Sequence, residues 1–309
     1  MDFVVTGGAG FIGSHIAKHL VSTGHSVTIF DDLSNGKKDN LDSIIDKIEF
    51  VNGDIRNFEL LKNTLKNTDG VFHEAALASV QESFSKQQEY HDVNVNGTEN
   101  VLKLGKEFGF KIVYASSSSI YGNPSKIPIQ EDDPKNPINP YAQTKLDDEN
   151  LAVKYTQIGV RVIGLRYFNV FGERQSQTYA GVIKKFVKKV RNNEPPIING
   201  DGQQTRDFVY VGDVVQANIL AMKSNVDHGF FNIGTGSTIT VLELANLVID
   251  SFGLSLKPVH GPELPGDVKI TKADISRAKK LLNWEPKTRI EEWLKSTITA
   301  RTNLDLITD

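Results

Sequence analysis

Two side chains able to transfer a proton lie four residues apart in the segment Tyr141-Ala-Gln-Thr-Lys145. On a helix, this spacing puts both on one face, with Cβ atoms roughly 5–6 Å apart. An ammonium group so close to a phenol favours the phenolate and lowers the tyrosine pKa from about 10 toward values useful for proton transfer at neutral pH. The pair alone is weak evidence, because surface helices produce the same spacing by chance. Its interpretation depends on two other segments.

The first is a cluster of serines, Ser116 to Ser119, which follows the apolar run 112–115. Side chains at the carboxyl end of a parallel strand face the ligand crevice, where a hydroxyl can donate to an oxygen that is being oxidised. Several of these serines are expected to make only turn hydrogen bonds. With Tyr141 and Lys145 downstream, the cluster predicts hydride chemistry on a nicotinamide cofactor, in which one serine holds the substrate oxygen while the phenolate takes its proton.

The second is a glycine-rich turn near the N-terminus, with Gly7, Gly10 and Gly13 at intervals of three and Phe11 and Ile12 between the last two. It follows a predicted strand and opens a predicted helix. Glycines at this spacing permit a tight turn, a close approach of a pyrophosphate to the backbone, and close packing of the helix on the sheet. The free N–H groups of the helix then face the phosphates. We therefore predict a dinucleotide site, and not merely a glycine-rich turn.

Acidic residues after the next two strands refine that prediction. Asp31 lies 18 residues after Gly13, near the spacing expected for the carboxylate that binds the adenosine ribose. A carboxylate there repels a 2′-phosphate, so NAD is favoured over NADP. Asp32 is a second predicted cofactor contact, with a loop-capping acid as the alternative, and Asp54 either lies by the adenine or is a turn residue.

The first two-thirds of the chain alternates apolar runs with amphipathic stretches, which indicates βαβ units and a parallel sheet covered on both faces. The predicted strands are 2–6, 26–31, 47–51, 70–74, 111–115 and 160–165, and the predicted helices are 11–23, 57–67, 93–108 and 143–158. The fold class is therefore α/β, a Rossmann-type doubly wound parallel sheet with a smaller α/β C-terminal substrate lobe.

The pattern loosens after about residue 168. We predict an NAD-binding domain over 1–168, with return segments near 200–228, and a substrate lobe over most of 169–309. Thr240-Val-Leu-Glu243 has the spacing of a capping box and predicts a helix over 241–252. The run 184–189, with four lysines, is interpreted as a solvated helix face.

Composition excludes several other classes of function. Net charge is −3, hydrophobic content 39% and charged content 24%, which are ordinary values and give no indication of nucleic-acid or membrane binding. No cysteine is present, and the seven histidines are scattered, so we predict no metal site. We see no signal peptide and expect a cytoplasmic protein.

These motifs together resemble the extended short-chain dehydrogenase/reductase family, and within it the UDP-sugar 4-epimerases of the UDP-glucose/UDP-galactose type. The resemblance covers almost the full length. It rests on the segments TGGAGFIGSH (6–15), FDDLSNGK (30–37), GDI (53–55), FHEAALASV (72–80), NVNGTENVL (94–102), SSSSIYG (116–122), YAQTK (141–145), LRYFNVFG (165–172) and GDGQQTRDFVYVGDV (200–214).

The resemblance implies roles for individual residues. Ser117 matches the catalytic Ser/Thr, Tyr141 the base and Lys145 its partner. The remaining implied cofactor contacts are Asn35, Ile55, Ala75, Ala76 and Asn94, and the implied nucleotide-sugar contacts are Ser117, Tyr141, Tyr167, Phe168, Asn169, Arg206 and Asp267.

Three departures from the family pattern bear on the reaction. Dehydratases and UDP-glucuronate decarboxylases carry acids where this chain has Ser118 and Ser119, so elimination is disfavoured. Leu264 stands where epimerases usually carry an arginine, for which Arg174, Lys269 or Lys272 are candidate substitutes. A mid-sized Thr271 at the position that narrows some sugar pockets leaves room for a 2-acetamido group.

The implied reaction is oxidation of a UDP-hexose at C4, rotation of the 4-keto sugar, and return of hydride to the opposite face, with NAD kept bound. A homodimer through the helices 93–108 and 143–158 is also implied. The alternatives are a UDP-glucuronate 4-epimerase or decarboxylase, a dTDP-glucose 4,6-dehydratase, a reductase, and an NAD-binding regulatory protein.

Overall fold

A computed structural model describes residues 1–175, 181–264 and 268–300. For residues 299 and 300 it describes the backbone alone. Seven parallel strands form the central sheet in the order β11-β6-β5-β4-β1-β2-β3. They are β1 (Asp2–Thr6), β2 (Ser26–Asp31), β3 (Glu49–Asn52), β4 (Gly70–His73), β5 (Lys111–Ser117), β6 (Val162–Tyr167) and β11 (His228–Ile233). The strand order reverses between β1 and β4, which is where a doubly wound sheet opens a crevice at its carboxyl edge.

Helices cover both faces of this sheet and build a second lobe. They are α1 (Phe11–Ser22), α2 (Phe58–Leu65), α3 (Val80–Ser83), α4 (Gln87–Tyr90), α5 (Gly97–Phe108), α6 (Pro140–Thr156), α7 (Val182–Arg191), α8 (Val211–Lys223), α9 (Val241–Ser251), α10 (Ser276–Leu282) and α11 (Ile290–Ala300), with 3-10 turns at Lys38–Lys47 and Ser118–Tyr121. None of the helices in the described ranges is both long and apolar enough to cross a bilayer.

The α/β class and the parallel sheet are confirmed, and the boundaries differ in informative ways. Helix α6 begins at Pro140 and not at 143, because the Asn139 side chain accepts the N–H of Ala142 at 2.8 Å and proline fits the first helical turn. Tyr141 and Lys145 therefore lie on one helix. The predicted helix over 93–108 continues backward through a π-helical segment, His91–Asn96, to α4.

The second lobe has its own apolar core, which packs α7, α9 and α11 around Phe186, Leu244 and Leu294. Its short strands are β7 (Asn169–Phe171), β8 (Ile197–Asn199), β9 (Thr205–Arg206), β10 (Phe208–Tyr210), β12 (Ile239–Thr240) and β13 (Val259–Gly261). The predicted capping box is present at Thr240 and Glu243 and opens α9. The returning chain extends beyond residue 228, because β11 pairs with β6 and completes the central sheet.

A buried ion pair joins α6 to strand β6 of the sheet. The guanidinium of Arg166 on β6 donates to both carboxylate oxygens of Glu149 at 2.7 and 2.8 Å, and Arg166 is 1% exposed. Its remaining N–H groups reach the Tyr121 hydroxyl at 2.6 Å and the Glu131 carbonyl at 2.7 Å. The Ser116 hydroxyl donates to Glu149 at 2.7 Å, so each charged group has hydrogen bonds in addition to those of the ion pair.

Replacing Glu149 with Gln should destabilise the protein by roughly 3–5 kcal/mol, because it leaves the Arg166 charge buried without a counter-ion. The double change Glu149→Leu with Arg166→Met should cost less than the single change, since no charge then remains unpaired. Urea unfolding followed by circular dichroism measures both. If the free energy of unfolding of Glu149→Gln lies within about 0.5 kcal/mol of the parent value, Glu149 is not the counter-ion that stabilises buried Arg166.

Candidate active site

A cleft of about 580 Å³ opens at the carboxyl edge of the sheet, between the two lobes. Nineteen of the predicted site residues line it. They are Gly7, Gly10, Phe11, Ile12, Gly13, Asp31, Asp32, Asn35, Asp54, Ile55, Ala75, Ala76, Ser117, Tyr141, Lys145, Tyr167, Phe168, Asn169 and Arg206. Of the other two, Asn94 lies behind the wall and Asp267 lies outside the described residues. Within the described ranges, no cluster of three or more His, Asp or Glu side chains is placed to hold a metal ion.

The glycine turn has the shape that a dinucleotide requires. Gly7 adopts a φ of +67°, and a Cβ there would lie 2.6 Å from the backbone nitrogen of Ala75. A Cβ on Gly13 would lie 2.3 Å from the Gly7 carbonyl oxygen, so only glycine lets α1 begin so close to the turn. The first turn of α1 has neither a side-chain cap nor an acidic residue. Its N–H groups are therefore suited to an anion such as a pyrophosphate, and the residues present fit NAD.

The acids beyond the turn have different partners. Asp31 is buried and accepts the backbone N–H groups of Ala9 at 2.9 Å and Leu33 at 2.8 Å. Burial raises the pKa of Asp31, and these two hydrogen bonds oppose the rise. Asp32 caps the following loop by accepting from the backbone and hydroxyl of Ser34. Asp54 is paired with Arg56, whose hydrogen bonds lower the pKa of that carboxyl.

Asn94 supports the cleft wall from behind. It is fully buried, and its amide accepts the N–H of Leu77 at 2.8 Å and donates to the Leu77 carbonyl at 3.0 Å. It also donates to the hydroxyl of Thr144 on α6 at 2.9 Å. The side chain thus ties the loop that carries Ala75 and Ala76 to α6. Asn94 is not among the residues that line the cleft, and its predicted contact with the cofactor stays a prediction.

Tyr141 and Lys145 face the cleft from the first two turns of α6. The positive end of the helix dipole therefore lies beside the phenol of Tyr141, in addition to the neighbouring ammonium. Lys145 is 4% exposed, and its ammonium donates to the Ala115 carbonyl at 3.0 Å and to the Asp148 carboxylate at 3.3 Å. A carbonyl of β5 and a carboxylate one turn further along α6 consequently hold the lysine from two sides.

Ser117 joins Tyr141 in a second, smaller pocket of about 240 Å³ that adjoins the cleft. The Ser117 hydroxyl accepts the N–H of Ser119 at 3.2 Å, and the buried Ser119 hydroxyl has no hydrogen-bond partner. The described lining of this pocket contains no aspartate or glutamate. It is the volume next to the serine and tyrosine hydroxyls in which a reacting group can sit.

The second lobe contributes polar groups to the same pocket. Asn169 donates to the Asp207 carbonyl at 3.0 Å and to the Thr271 hydroxyl at 3.4 Å. Arg206 is 9% exposed and donates to the Thr205 carbonyl at 2.8 Å. Thr271 lines the pocket, as expected for a position that limits the size of the ligand.

Leu264 lines both cavities, where a different cation from the three candidate substitutes is among the described lining residues. Arg174 donates to the Asn40 carbonyl, and neither it nor Lys269 or Lys272 is among the described lining residues. Lys185, exposed on α7, does line the cleft. The interpretation of 184–189 as a solvated face overlooked this residue, because α7 packs with Lys184 buried and Lys185 turned to the cleft.

Sequence reasoning also missed Glu74. It lines the cleft, and its carboxylate oxygen accepts the Tyr167 hydroxyl at 2.9 Å, while Tyr167 accepts from Asn218 at 2.8 Å. Burial raises the pKa of Glu74 to about 8. Its neighbour His73 hydrogen-bonds Thr6 and Thr98, and burial lowers its pKa to about 3, so it is neutral. The position of Glu74, directly after a strand that ends beside the glycine turn, was the available signal.

Comparison with known proteins agrees with this geometry. The family model of the NAD dependent epimerase/dehydratase family matches residues 3–234. A UDP-glucose 4-epimerase from Thermotoga maritima, solved with UDP-glucose, is 37% identical, with a TM-score of 0.92, 97% of this chain covered and 98% of that one. The UDP-N-acetylglucosamine 4-epimerase of Methanobrevibacter ruminantium is 36% identical, with a TM-score of 0.91 and coverage of 96% and 97%.

A third similar structure contains the cofactor. The UDP-glucuronic acid 4-epimerase of Bacillus cereus, in complex with UDP-glucuronic acid and NAD, is 30% identical, with a TM-score of 0.90 and 99% of each chain covered. A match over most of the chain, together with a glycine turn that fits a pyrophosphate, identifies the family of the protein. The chain belongs to the NAD dependent epimerase/dehydratase family of extended short-chain dehydrogenases/reductases, with NAD as its cofactor.

Proposed function

We propose that this chain epimerises a UDP-hexose at C4 and retains its NAD between turnovers. The observation that carries the proposal is the convergence of Ser117, Tyr141 and Lys145 on one cleft with the glycine turn. NAD, when bound, accepts a hydride from the sugar and returns it. The other steps belong to this chain's own side chains.

Tyr141 takes the proton of the C4 hydroxyl as its phenolate, and the Lys145 ammonium and the start of α6 stabilise that anion. Ser117 donates to the same sugar oxygen through the oxidation and the return. Both hydroxyls line the smaller pocket as well as the cleft, so one oxygen of a sugar there can meet both.

Inversion requires that the sugar turn while its nucleotide stays bound. The pocket around Ser118 and Ser119 offers hydroxyl groups, and Arg206 is the one charged side chain in its described lining, which suits a sugar that must present either face. Asn169, Arg206 and Lys185 line the cleft on the second-lobe side, where cationic and amide groups suit a diphosphate. The 4-keto sugar then rotates about its diphosphate linkage.

The residues that line the two cavities also bear on the alternative reactions, dehydration and decarboxylation. Dehydration and decarboxylation need an acid beside the sugar, and Ser118 and Ser119 provide none. Glu74 is a carboxyl of the cleft, and one of its oxygens accepts a hydrogen bond from the Tyr167 hydroxyl. The mid-sized Thr271 is compatible with glucose, its 2-acetamido form or a uronic acid, all three of which are substrates in the names of the similar structures.

We also infer a homodimer formed through α5 and α6. These helices pack side by side, with the Tyr155 hydroxyl 3.3 Å from the Glu99 carboxylate, and they leave Val153 44% exposed. An apolar side chain on the outer face of a two-helix surface suits a second copy of the same surface. The molar mass in solution, measured by light scattering, tests this.

The reaction is tested by incubating the protein with UDP-glucose, UDP-galactose, UDP-N-acetylglucosamine and UDP-glucuronate without added cofactor. Proton NMR should show inversion at C4 for at least one of them. Tyr141→Phe should lower the rate by about 10²–10⁴-fold, because the proton acceptor is lost, while NAD stays bound. Tyr155→Phe, on the same helix, should leave the rate unchanged. Formation of a 4-keto-6-deoxy sugar, or full activity of Tyr141→Phe, would refute the proposal.

Lys185→Ala should raise KM for the UDP-sugar about tenfold, equivalent to about 1.4 kcal/mol of lost binding, with kcat little changed. The reason is that the lysine contacts the part of the substrate that does not react. Lys188→Ala is the matched control, since Lys188 is exposed one turn further along α7 and does not line the cleft. Equal KM values for the two variants would show that the diphosphate is held elsewhere.

Glu74→Gln should change how stability depends on pH in the cofactor-free protein. An unfolded glutamate ionises near pH 4.3, whereas Glu74 in the fold keeps its proton to about pH 8. The unfolded state therefore binds fewer protons over this window, and the stability that Glu74 provides at low pH is lost as the pH rises toward 8.

Glutamine removes this loss, so the variant should gain stability relative to the parent between pH 5 and 8, by roughly 1–3 kcal/mol after allowance for water in the open cleft. Melting temperatures at both pH values measure it. Glu89→Gln, at an exposed position of α4, is the control. A constant difference between variant and parent would mean that Glu74 is ionised in the fold at neutral pH.

A further inference from the structure

A buried carboxylate lies against Lys145 and has no part in the reaction described so far. Asp148, one turn further along α6, is 0% exposed, and its Oδ2 accepts from the Lys145 ammonium at 3.3 Å. Its Oδ1 is buried without a hydrogen-bond partner. An unpaired buried carboxylate oxygen is costly, and a simple packing position could hold an apolar residue at no such cost.

The groups around Asp148 supply little other charge. Thr98 on α5 faces the carboxyl and also contacts His73 at 3.0 Å, and His73 is neutral because burial lowers its pKa to about 3. Glu74, across Lys145, holds its proton to about pH 8. Asp147 is half-buried and accepts a hydrogen bond from Gln143 on the outer side of α6.

Asp148 is the one carboxylate in an ion pair with Lys145 within the described part of the chain. The ammonium otherwise donates to the Ala115 carbonyl, which carries no net charge. The state of Asp148 therefore decides how much of the lysine's charge is offset inside the protein. Because both groups are nearly excluded from water, this effect is only weakly screened.

Asp148 can exist in either protonation state near neutrality. Burial raises the pKa of Asp148 to about 7, against the opposing effects of the Lys145 ammonium and the Thr98 hydroxyl. Protonated, it leaves the lysine with its full positive charge. Ionised, it draws the ammonium toward itself and offsets part of that charge.

We propose that Asp148 is a positioning residue, which anchors the Lys145 ammonium and sets the net positive charge that this lysine presents to Tyr141. The proposal rests on the proposed function insofar as Tyr141 is the base and Lys145 its partner. An ionised Asp148 makes the phenol of Tyr141 harder to ionise. With Asp148 ionised, the fraction of Tyr141 that is phenolate is lower than Lys145 alone would produce. The rate of proton removal is lowered with it.

The test measures ionisation of Tyr141 directly and needs no sugar. The NAD-loaded protein is titrated between pH 5 and 10, and phenolate absorbance near 295 nm is recorded, with the Tyr141→Phe protein subtracted at each pH. Asp148→Asn should move the Tyr141 midpoint to lower pH by about one unit, the order of magnitude expected when the Lys145 charge is no longer offset in a site of intermediate permittivity. Asp148→Ser serves as a second neutral variant, and thermal unfolding shows which variants are folded.

Two controls separate charge from structure. Asp147→Asn makes the same chemical change at the adjacent position and should leave the midpoint in place. In a Lys145→Met background, Asp148→Asn should produce a much smaller shift, because the lysine that carries the effect is gone.

The inference is overturned if Asp148→Asn and Asp148→Ser give the same Tyr141 midpoint as the Asp147→Asn control. It is also overturned if they move the midpoint to higher pH. A shift that persists at full size in the Lys145→Met background also overturns it. Since the titration uses no UDP-sugar, failure of the epimerase assay and failure of this inference are separate results.

Discussion

The ion pair between Arg166 and Glu149 holds the reactive helix in register with the sheet. Charges of this kind are expensive to remove from water, and the cost is offset only when every hydrogen-bonding position is filled. Here Ser116 and Tyr121 supply further hydrogen bonds, and both lie in the same short segment as Ser117. A sliding or rotation of helix α6 would break the ion pair and leave a buried charge unpaired. The ion pair therefore ties the backbone of α6, which carries Tyr141 and Lys145, to the segment that carries Ser117.

Charge within the cleft is distributed according to the two ends of the expected ligand. Around Lys145, His73 and Asp148 are buried and Glu74 is half-buried, and His73 and Glu74 are neutral at pH 7 because burial disfavours their charged forms. On the second-lobe side, Arg206 and Lys185 carry their charges at the cleft surface. One ammonium thus dominates the end of the cleft at Tyr141, and two cations lie on the second-lobe side, which suits the diphosphate of the proposed substrate. That separation is what a reaction with a mobile sugar and a fixed nucleotide requires.

Local signals in the sequence predicted most of the sheet and most of the cleft wall. The glycine turn, the strand ends and the capping box at Thr240 are each determined by residues within a few positions of one another. The local sequence is therefore enough to predict them. The start of α6 was missed by three residues, although Asn139-Pro140 is a recognisable start signal. Contacts between distant segments could not be read in this way: Asn94 with Leu77 and Glu74 with Tyr167 depend on how the elements pack.

The second lobe was predicted less well for the same reason. Its strands are two or three residues long, too short for a periodic pattern, and they pair across large separations, as β13 does with β8. The orientation of Lys185 follows from which face of α7 is buried, and that face is fixed by α9. The structure of Pro265-Gly266-Asp267 is not described, so the predicted nucleotide contact of Asp267 stays a prediction.

The π-helical segment His91–Asn96 restricts how this part of the chain can change in length. Tyr90, just before it, hydrogen-bonds the backbone of Ser79 through its hydroxyl, and Asn94, within it, holds Leu77. Removing one residue between 91 and 96 would give a regular helix and turn Tyr90 by about 100° around the axis. The loop from Leu77 to Ser79 would then lose one of its two attachments. Homologous chains can vary the side chains of this segment, but we expect their insertions and deletions to fall elsewhere.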